Sequence, residues 1–294
     1  MNMVIKMTNY LMVLGATELL SLNFAVTKLY QNKEGTAVTA GLYFNAVIGL
    51  ASGILFWAMS GFQFTATIFS AVMAFAMALF SAAYTVIGFR IMQKGNMAIY
   101  TLFLMSGGML LPYIYGLMFL EEHFSLLRLA GLLAILGAVF LSNGKGKKVD
   151  RKLLALCAAT FVLNGFVSIV SKCHQIEADY PAVSSSQFVM LTGFAKCILC
   201  GATLIFVRRK EKQPLPKTVG VLPMVIGSAV LSGISYLLQL VGAKNLPATV
   251  LYPMVTSGSI LFTAFSGKLF FREKITKRQW ISIALCIFGT LLFL

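Results

Sequence analysis

The chain has 294 residues, 59% of them apolar and only 11% charged, with 24 Lys and Arg against 9 Asp and Glu for a formal charge of +15. Soluble domains carry about 25% charged residues, so this composition excludes an ordinary cytosolic enzyme, and the high hydrophobicity excludes intrinsic disorder. A basic nucleic-acid-binding face needs a soluble domain to carry it, which leaves a polytopic membrane protein.

A bilayer core takes about 20 apolar residues per helix. Runs of that size lie at 8–29, 37–59, 67–89, 97–119, 125–142, 153–173, 182–207, 219–242, 248–271 and 279–294. The expectation is an all-α integral membrane protein of ten transmembrane helices with short loops. Gly61, Gly95-Asn96, Asn143-Gly144, Pro181, Pro214, Pro216 and Pro247 fall at the span edges, where turn residues belong. Pro112 and Pro253 fall inside the fourth and ninth spans and predict kinks. The first run holds Glu18 at its centre and reads as a retained span rather than a cleaved leader.

The charges predict an orientation. On one side of a ten-span chain fall Lys28, Lys33, Arg90, Lys94, Lys145, Lys147, Lys148, Arg151, Lys152, Arg208, Arg209, Lys210, Lys212, Lys217, Lys268, Arg272, Lys274, Lys277 and Arg278. Only Lys6, Arg128, Lys172 and Lys244 fall on the other, and Lys196 lies within the seventh span. By the positive-inside rule the heavily basic side is cytoplasmic, so both termini are expected outside. The clusters GKGKKVDRK and RRKEKQPLPK can also meet anionic lipid headgroups.

Metal, redox and cofactor chemistry find little footing. The five cysteines lie in or beside apolar runs, and the Cys197-x-x-Cys200 pair has no second ligand pair. His123 and His174 sit near span ends without catalytic partners. No phosphate-binding loop is present. The expectation is no metal, no cofactor and no enzymatic activity.

An internal repeat is visible. A shift of 144 residues aligns Val26–Leu55 with Val170–Leu199 at eight identical positions: Val26/Val170, Lys28/Lys172, Gln31/Gln175, Phe44/Phe188, Gly49/Gly193, Ala51/Ala195, Ile54/Ile198 and Leu55/Leu199. Further on, Ala98 faces Ala248, Gly108 faces Gly258 and Glu122 faces Glu273. The predicted organisation is two five-helix repeats, 1–143 and 153–294, joined by a basic linker at 144–152. Five is odd, so the second repeat enters the membrane inverted, as in transporters with a midplane site between the halves.

These features resemble the drug/metabolite transporter superfamily, in particular its ten-span EamA-type members. The resemblance covers essentially the whole chain. It is most specific at the end of each half: the stretch from Asn245 through Glu273 to Gly289, and the stretch from Gly95 through Glu122, Gly131 and Gly137. Glu18 followed by Lys28 also resembles the small multidrug resistance proteins, whose first helix carries an embedded glutamate that binds protons and cationic substrate in turn. The repeat counterpart of Glu18 is Val162, so there is one such acid rather than two. The resemblance implies cytoplasmic termini, whereas the lysine and arginine distribution places both outside.

Glu18 and Lys196 are the ionisable groups deepest in the spans, and such groups are costly in a bilayer unless they find a partner or water. Glu18 is read as a proton-coupling or substrate-binding acid, or as half of an ion pair with Lys196. Lys196 is read as that partner, or as a charge for a carboxylate-bearing substrate. Polar stripes at helical spacing are expected to line a wet cavity or to glue packed helices. They are Glu18, Ser21, Ala25 and Lys28; Asn164, Ser168 and Ser171; Ser232, Tyr236 and Gln239; and Tyr252, Thr256, Ser259 and Thr263. The cavity-lining candidates are Asn23, Tyr84, Asn164, Tyr236, Gln239 and Tyr252. Gly49-x-x-x-Gly53 predicts close helix packing within the chain.

Together these point to a secondary active transporter of a small metabolite or drug-like solute, working by alternating access across the plasma (bacterial inner) membrane, with Glu18 as a proton-coupling or substrate-contacting acid. The alternative is a lipid-linked sugar flippase or a lipid-binding accessory membrane subunit. Its partners are the solute and membrane lipids, not nucleic acid. A monomer suffices if the repeat supplies two halves, and a homodimer is the alternative.

Overall fold

The computed structural model describes residues 3–35, 37–93, 97–142, 151–211, 218–272 and 275–293. Their regular structure is ten helices: α1 (Met3–Glu34), α2 (Val38–Met59), α3 (Ile68–Gln93), α4 (Met97–Phe119), α5 (Leu126–Ser142), α6 (Arg151–Ile176), α7 (Ser185–Glu211), α8 (Thr218–Asn245), α9 (Ala248–Phe271) and α10 (Lys277–Leu291). No strand occurs among the described residues. The Gly95-Asn96 and Asn143-Gly144 turns, Pro214, Pro216, Glu273, Lys94, Lys274 and most of the basic linker lie outside the described residues.

Among the described residues, eight helices are long and apolar enough to cross a membrane; they are all but α5 and α10. The 17 residues of α5 and the 15 of α10 reach about 26 and 22 Å at 1.5 Å per residue, short of a core of about 30 Å. These two helices pack against each other. Large apolar side chains cover the outside of the bundle, among them Ile68, Leu126, Ile198 and Leu269. In water this would be a severe liability; in lipid it is the required surface.

The pairing of helices has a pattern. α2 packs on α7, α4 on α9 and α5 on α10, while α1 packs on α8 and α9 as α6 packs on α3 and α4. Exchanging α1–α5 for α6–α10 leaves this set unchanged. Glycines make close crossings. A Cβ on Gly49 would lie 2.6 Å from the Gly193 carbonyl oxygen, and one on Gly193 would lie 2.8 Å from the Gly49 carbonyl oxygen. Gly131 and Gly289 meet in the same reciprocal way across α5 and α10, at 2.7 and 2.8 Å. Small residues allow such backbone approach where lipid offers no hydrophobic drive for helix association. Pro112, Pro223 and Pro253 all sit inside helices, in α4, α8 and α9.

Consecutive helices alternate in direction, so the C-terminal ends of the odd-numbered ones share one side. There Arg90, Arg151, Lys152, Arg208, Arg209, Lys268, Arg272, Lys277 and Arg278 are exposed. Lys33 on the same side donates to the Gly220 carbonyl at 2.7 Å, tying α1 to the start of α8.

Candidate functional site

A cavity of about 960 Å³ occupies the middle of the bundle, lined by every helix except α5. It runs from mid-span toward the basic side, where Lys28, Gln31, Gly267, Ile275 and Gln279 line it near the ends of α1, α9 and α10. Toward the opposite side its lining stops at Ser171, Ala243 and Tyr252.

Asn23, Tyr84, Asn164, Tyr236, Gln239 and Tyr252 all line this cavity. Most of them also bind helices together. Asn164 Nδ2 donates to the Leu104 carbonyl at 2.8 Å, joining α6 to α4. The Tyr236 hydroxyl meets Ser171 Oγ at 2.9 Å, joining α8 to α6. The Tyr252 hydroxyl donates to the Ser168 carbonyl, joining α9 to α6. Gln239 Nε2 donates to Ser235 Oγ at 3.2 Å, and Ser235 in turn donates to the Ala16 carbonyl of α1 at 2.7 Å. Asn23 differs: its Oδ1 is buried and has no hydrogen-bond partner among the described residues.

Glu18 and Lys196 are not brought together. Lys196 lines the cavity, half-buried near the middle of α7, with its Cβ 3.3 Å from where a Cβ on Gly49 would stand. Glu18 is exposed and is not in the lining. The expected stripe of Glu18, Ser21, Ala25 and Lys28 is therefore split. Glu18 shares its face with Met7, Leu11 and Leu14, which are all exposed on the outside of the bundle. Ser21 and Ala25 are buried, and Ser21 Oγ meets Ser266 Oγ of α9 at 2.9 Å. At 100° per residue, three positions turn the helix by 300°, so Ser21 and Glu18 stand 60° apart. That difference lets α9 cover Ser21 and leave Glu18 outside.

Beside the end of the cavity at Ser171 and Ala243, two charged side chains hold the α8–α9 turn. Lys172 is only 5% exposed. Its Nζ donates to the carbonyls of Ala243 and Leu246, both at 2.7 Å. Those carbonyls belong to the end of α8, where helical geometry leaves acceptors without partners and a cation is favoured. Glu122 does the converse for α9. Its Oε1 accepts from the Ala248 N–H at 2.6 Å, and its Oε2 accepts from the Thr249 N–H at 2.8 Å and the Thr249 hydroxyl at 2.6 Å. A carboxylate at a helix N-terminus meets unpaired donors and the positive end of the dipole. The local chain delivers it there. Glu121 takes a left-handed φ of 51°, the Glu122 N–H returns to the Gly116 carbonyl at 3.1 Å, and Gly116 leaves the space a Cβ would take from the carboxylate. Lys172 and Glu122 thus clamp both sides of the α8–α9 turn at Leu246-Pro247.

His174 ties the end of α6 to α3 and α7. It is 2% exposed, stacks on Phe188 at 3.6 Å between ring centroids, and meets Ser70 Oγ at 2.9 Å. Gln175 Nε2 lies 2.9 Å from its Nδ1, and the Ser185 hydroxyl donates to Gln175 Oε1 at 2.6 Å. Lys28, counted from sequence as a topology marker, lines the cavity six residues, or about 9 Å, before the end of α1. The signal for Lys28, Lys172 and Glu122 was in the repeat, which matches Lys28 to Lys172 and Glu122 to Glu273. All five cysteines are free thiols, and no group of three or more His, Cys, Asp or Glu suited to a metal occurs among the described residues.

The EamA-like transporter family matches residues 152–294. The chain is 37% identical over 82 residues to the "probable 4-amino-4-deoxy-L-arabinose-phosphoundecaprenol flippase subunit ArnE" of Yersinia pseudotuberculosis serotype O:1b, covering 28% of this chain and 71% of that protein. The protein of the same description from Yersinia pestis is 35% identical over 82 residues, with the same coverage. A solved crystal structure matches 97% of this chain and 96% of its own with a TM-score of 0.77 at 18% identity, a likeness of fold.

Proposed function

This chain belongs to the EamA-like transporter family of the drug/metabolite transporter superfamily, and on that premise we propose that it is a secondary transporter moving a small solute by alternating access. The observation that carries this reading is the central cavity, which extends toward the basic side and on the other stops at Ser171, Ala243 and Tyr252. In this reading the halves 1–143 and 153–294 are inverted repeats that rock about the α2–α7 crossing, and the linker 144–152 only joins them. The exchange symmetry of the helix pairings and the reciprocal Gly49–Gly193 contact support it. With the basic side cytoplasmic, the conformation described is inward-facing and both termini lie outside. The protein works in the plasma membrane, as a monomer, and as a carrier rather than an enzyme.

Uptake or efflux by purified protein in liposomes, measured with and without a pH gradient over a broad solute panel, is the test. Flux above that of empty liposomes is expected, and none across the panel overturns the reading. Proton coupling through Glu18 belongs to this proposal in one form: it acts from outside the cavity. A Glu18→Gln variant that keeps full pH-driven flux removes it.

A second reading is favoured by the flippase-subunit relatives. The chain then flips a lipid-linked sugar phosphate, alone or as an accessory subunit. Translocation of a fluorescent polyprenyl-phosphate sugar, with no flux of free solutes, replaces the first reading with this one.

A further inference from the structure

The charge balance of the cavity points to the chemistry of its ligand. Among the described residues, the charged side chains in its lining are Lys28 and Lys196, both cationic. Lys196 has no hydrogen-bond or carboxylate partner among the described residues, although it stands half-buried at mid-span. Glu18, the acid at comparable depth, faces the outside of the bundle. A cation held in that position without a counter-ion is unfavourable until water or an anion meets it. The rest of the lining near α1 is neutral and polar, including Asn23, Thr27 and Gln31, with Phe24 and Leu20 as apolar neighbours. The Asn23 amide has a buried oxygen with no hydrogen-bond partner among the described residues, and it offers a hydrogen-bonding site to hydroxyl or amine groups of a ligand.

We infer that the cavity binds an oxyanion, a phosphate or carboxylate group, with Lys196 as its counter-charge. This rests on the transporter reading above and names its substrate class. A cationic ligand meets the like charge of Lys196, and no acid lines the cavity among the described residues, so it is disfavoured. The same chemistry serves a free solute and a lipid-linked phosphate, since both present the charged oxygens.

The test uses the full chain, first in detergent for ligand-induced thermal shifts and then in liposomes for flux. The probes are inorganic phosphate, glucose 1-phosphate and citrate as soluble oxyanions, farnesyl phosphate as a lipid-borne one, glucose as a neutral control and tetraphenylphosphonium as a cation. At least one oxyanion is expected to raise the melting temperature by a few degrees, to bind roughly tenfold more weakly to Lys196→Gln, and to bind Lys196→Arg about as well as wild type. An unchanged melting temperature of unliganded Lys196→Gln shows that the variant is folded. Stabilisation by the soluble probes identifies a free solute, and stabilisation by farnesyl phosphate alone identifies a lipid-linked one; both support the inference. Equal oxyanion binding by Lys196→Gln overturns it, as does absence of any oxyanion shift. Flux of glucose or tetraphenylphosphonium without any oxyanion response overturns the inference and leaves the transporter reading standing. Absence of flux alone strikes that reading instead.

Discussion

Lys172 and Lys28 occupy matching repeat positions, yet one is buried as a cap and the other lines a cavity. For Lys172 the environment dictates the role. A buried ammonium needs partners, and the two carbonyls at the end of α8 need donors, so each satisfies the other. Removing the charge while keeping the stem, as in Lys172→Met, leaves both carbonyls unpaired. Hydrogen bonds from a charged donor contribute about 1.5–3 kcal/mol each, partly offset by the relief of burying an ammonium. A net loss of about 2 kcal/mol is expected, read as a lower melting temperature in detergent. Glu122→Ala strips the N-terminus of α9 of three accepted bonds and is expected to cost about 1–2 kcal/mol, in line with loss of a helix cap. Lys172 and Glu122 clamp one turn, so the double variant should fall short of the sum of the two. Strict additivity in melting experiments would argue against a shared clamp.

Helix α2 shows what the elements contribute. It has apolar residues on every side and no charged residue, and its phase around its own axis is set by glycines. Gly49 and Gly53 face α7, where a Cβ on Gly53 would lie 2.8 Å from the Phe194 ring. Gly49→Leu therefore forces the α2 and α7 backbones apart. Overpacking costs typically about 1–3 kcal/mol, and here the obstruction is backbone that no rotamer change relieves. Poor yield of monodisperse protein is the expected outcome. Gly15 is the control: it sits in α1 with nothing within 4 Å of an added Cβ. Gly15→Ala should be neutral or stabilising by up to about 1 kcal/mol through helix propensity. If the two variants behave alike, the crossing is not what holds α2 against α7.

At the scale of the whole molecule, the charge asymmetry and the cavity share a side. If the basic side is cytoplasmic, a periplasmic-active reporter fused after Leu294 is active and a cytoplasmic-active one is silent. The reverse result places both termini inside and turns the described conformation outward-facing. Cysteine labelling separates the same two cases from within the cavity. A Thr101→Cys thiol, on the cavity wall, should react with a membrane-impermeant maleimide from the basic side of inverted vesicles. Wild-type cysteines must first be replaced, and buried Cys157, Cys200 and Cys286 should react slowly in any case.

Length, hydropathy and charge were sufficient for the fold class and for the helix boundaries to within a few residues, and polar groups on apolar helices marked side chains that the structure places around the cavity. These signals are local: a span is about 20 apolar residues wherever it sits, and a tyrosine or asparagine within one is costly to leave against lipid. Rotational phase is not local. Glu18 and Ser21 lie three residues apart, and only the packing of α9 against α1 decides that Ser21 is buried and Glu18 is not. The clamp on the α8–α9 turn is likewise beyond sequence reading. It joins α4's end, α6 and α8–α9 through hydrogen bonds across 71 to 127 residues, and nothing in the spacing of Glu122, Lys172 and Thr249 says that they gather at one turn. By itself, then, the amino-acid sequence determined how many helices there are and which side carries the basic charge, because those follow from transfer of each segment into lipid. The tertiary structure alone decided which charge looks into the cavity, because that depends on which face of each helix its neighbours cover.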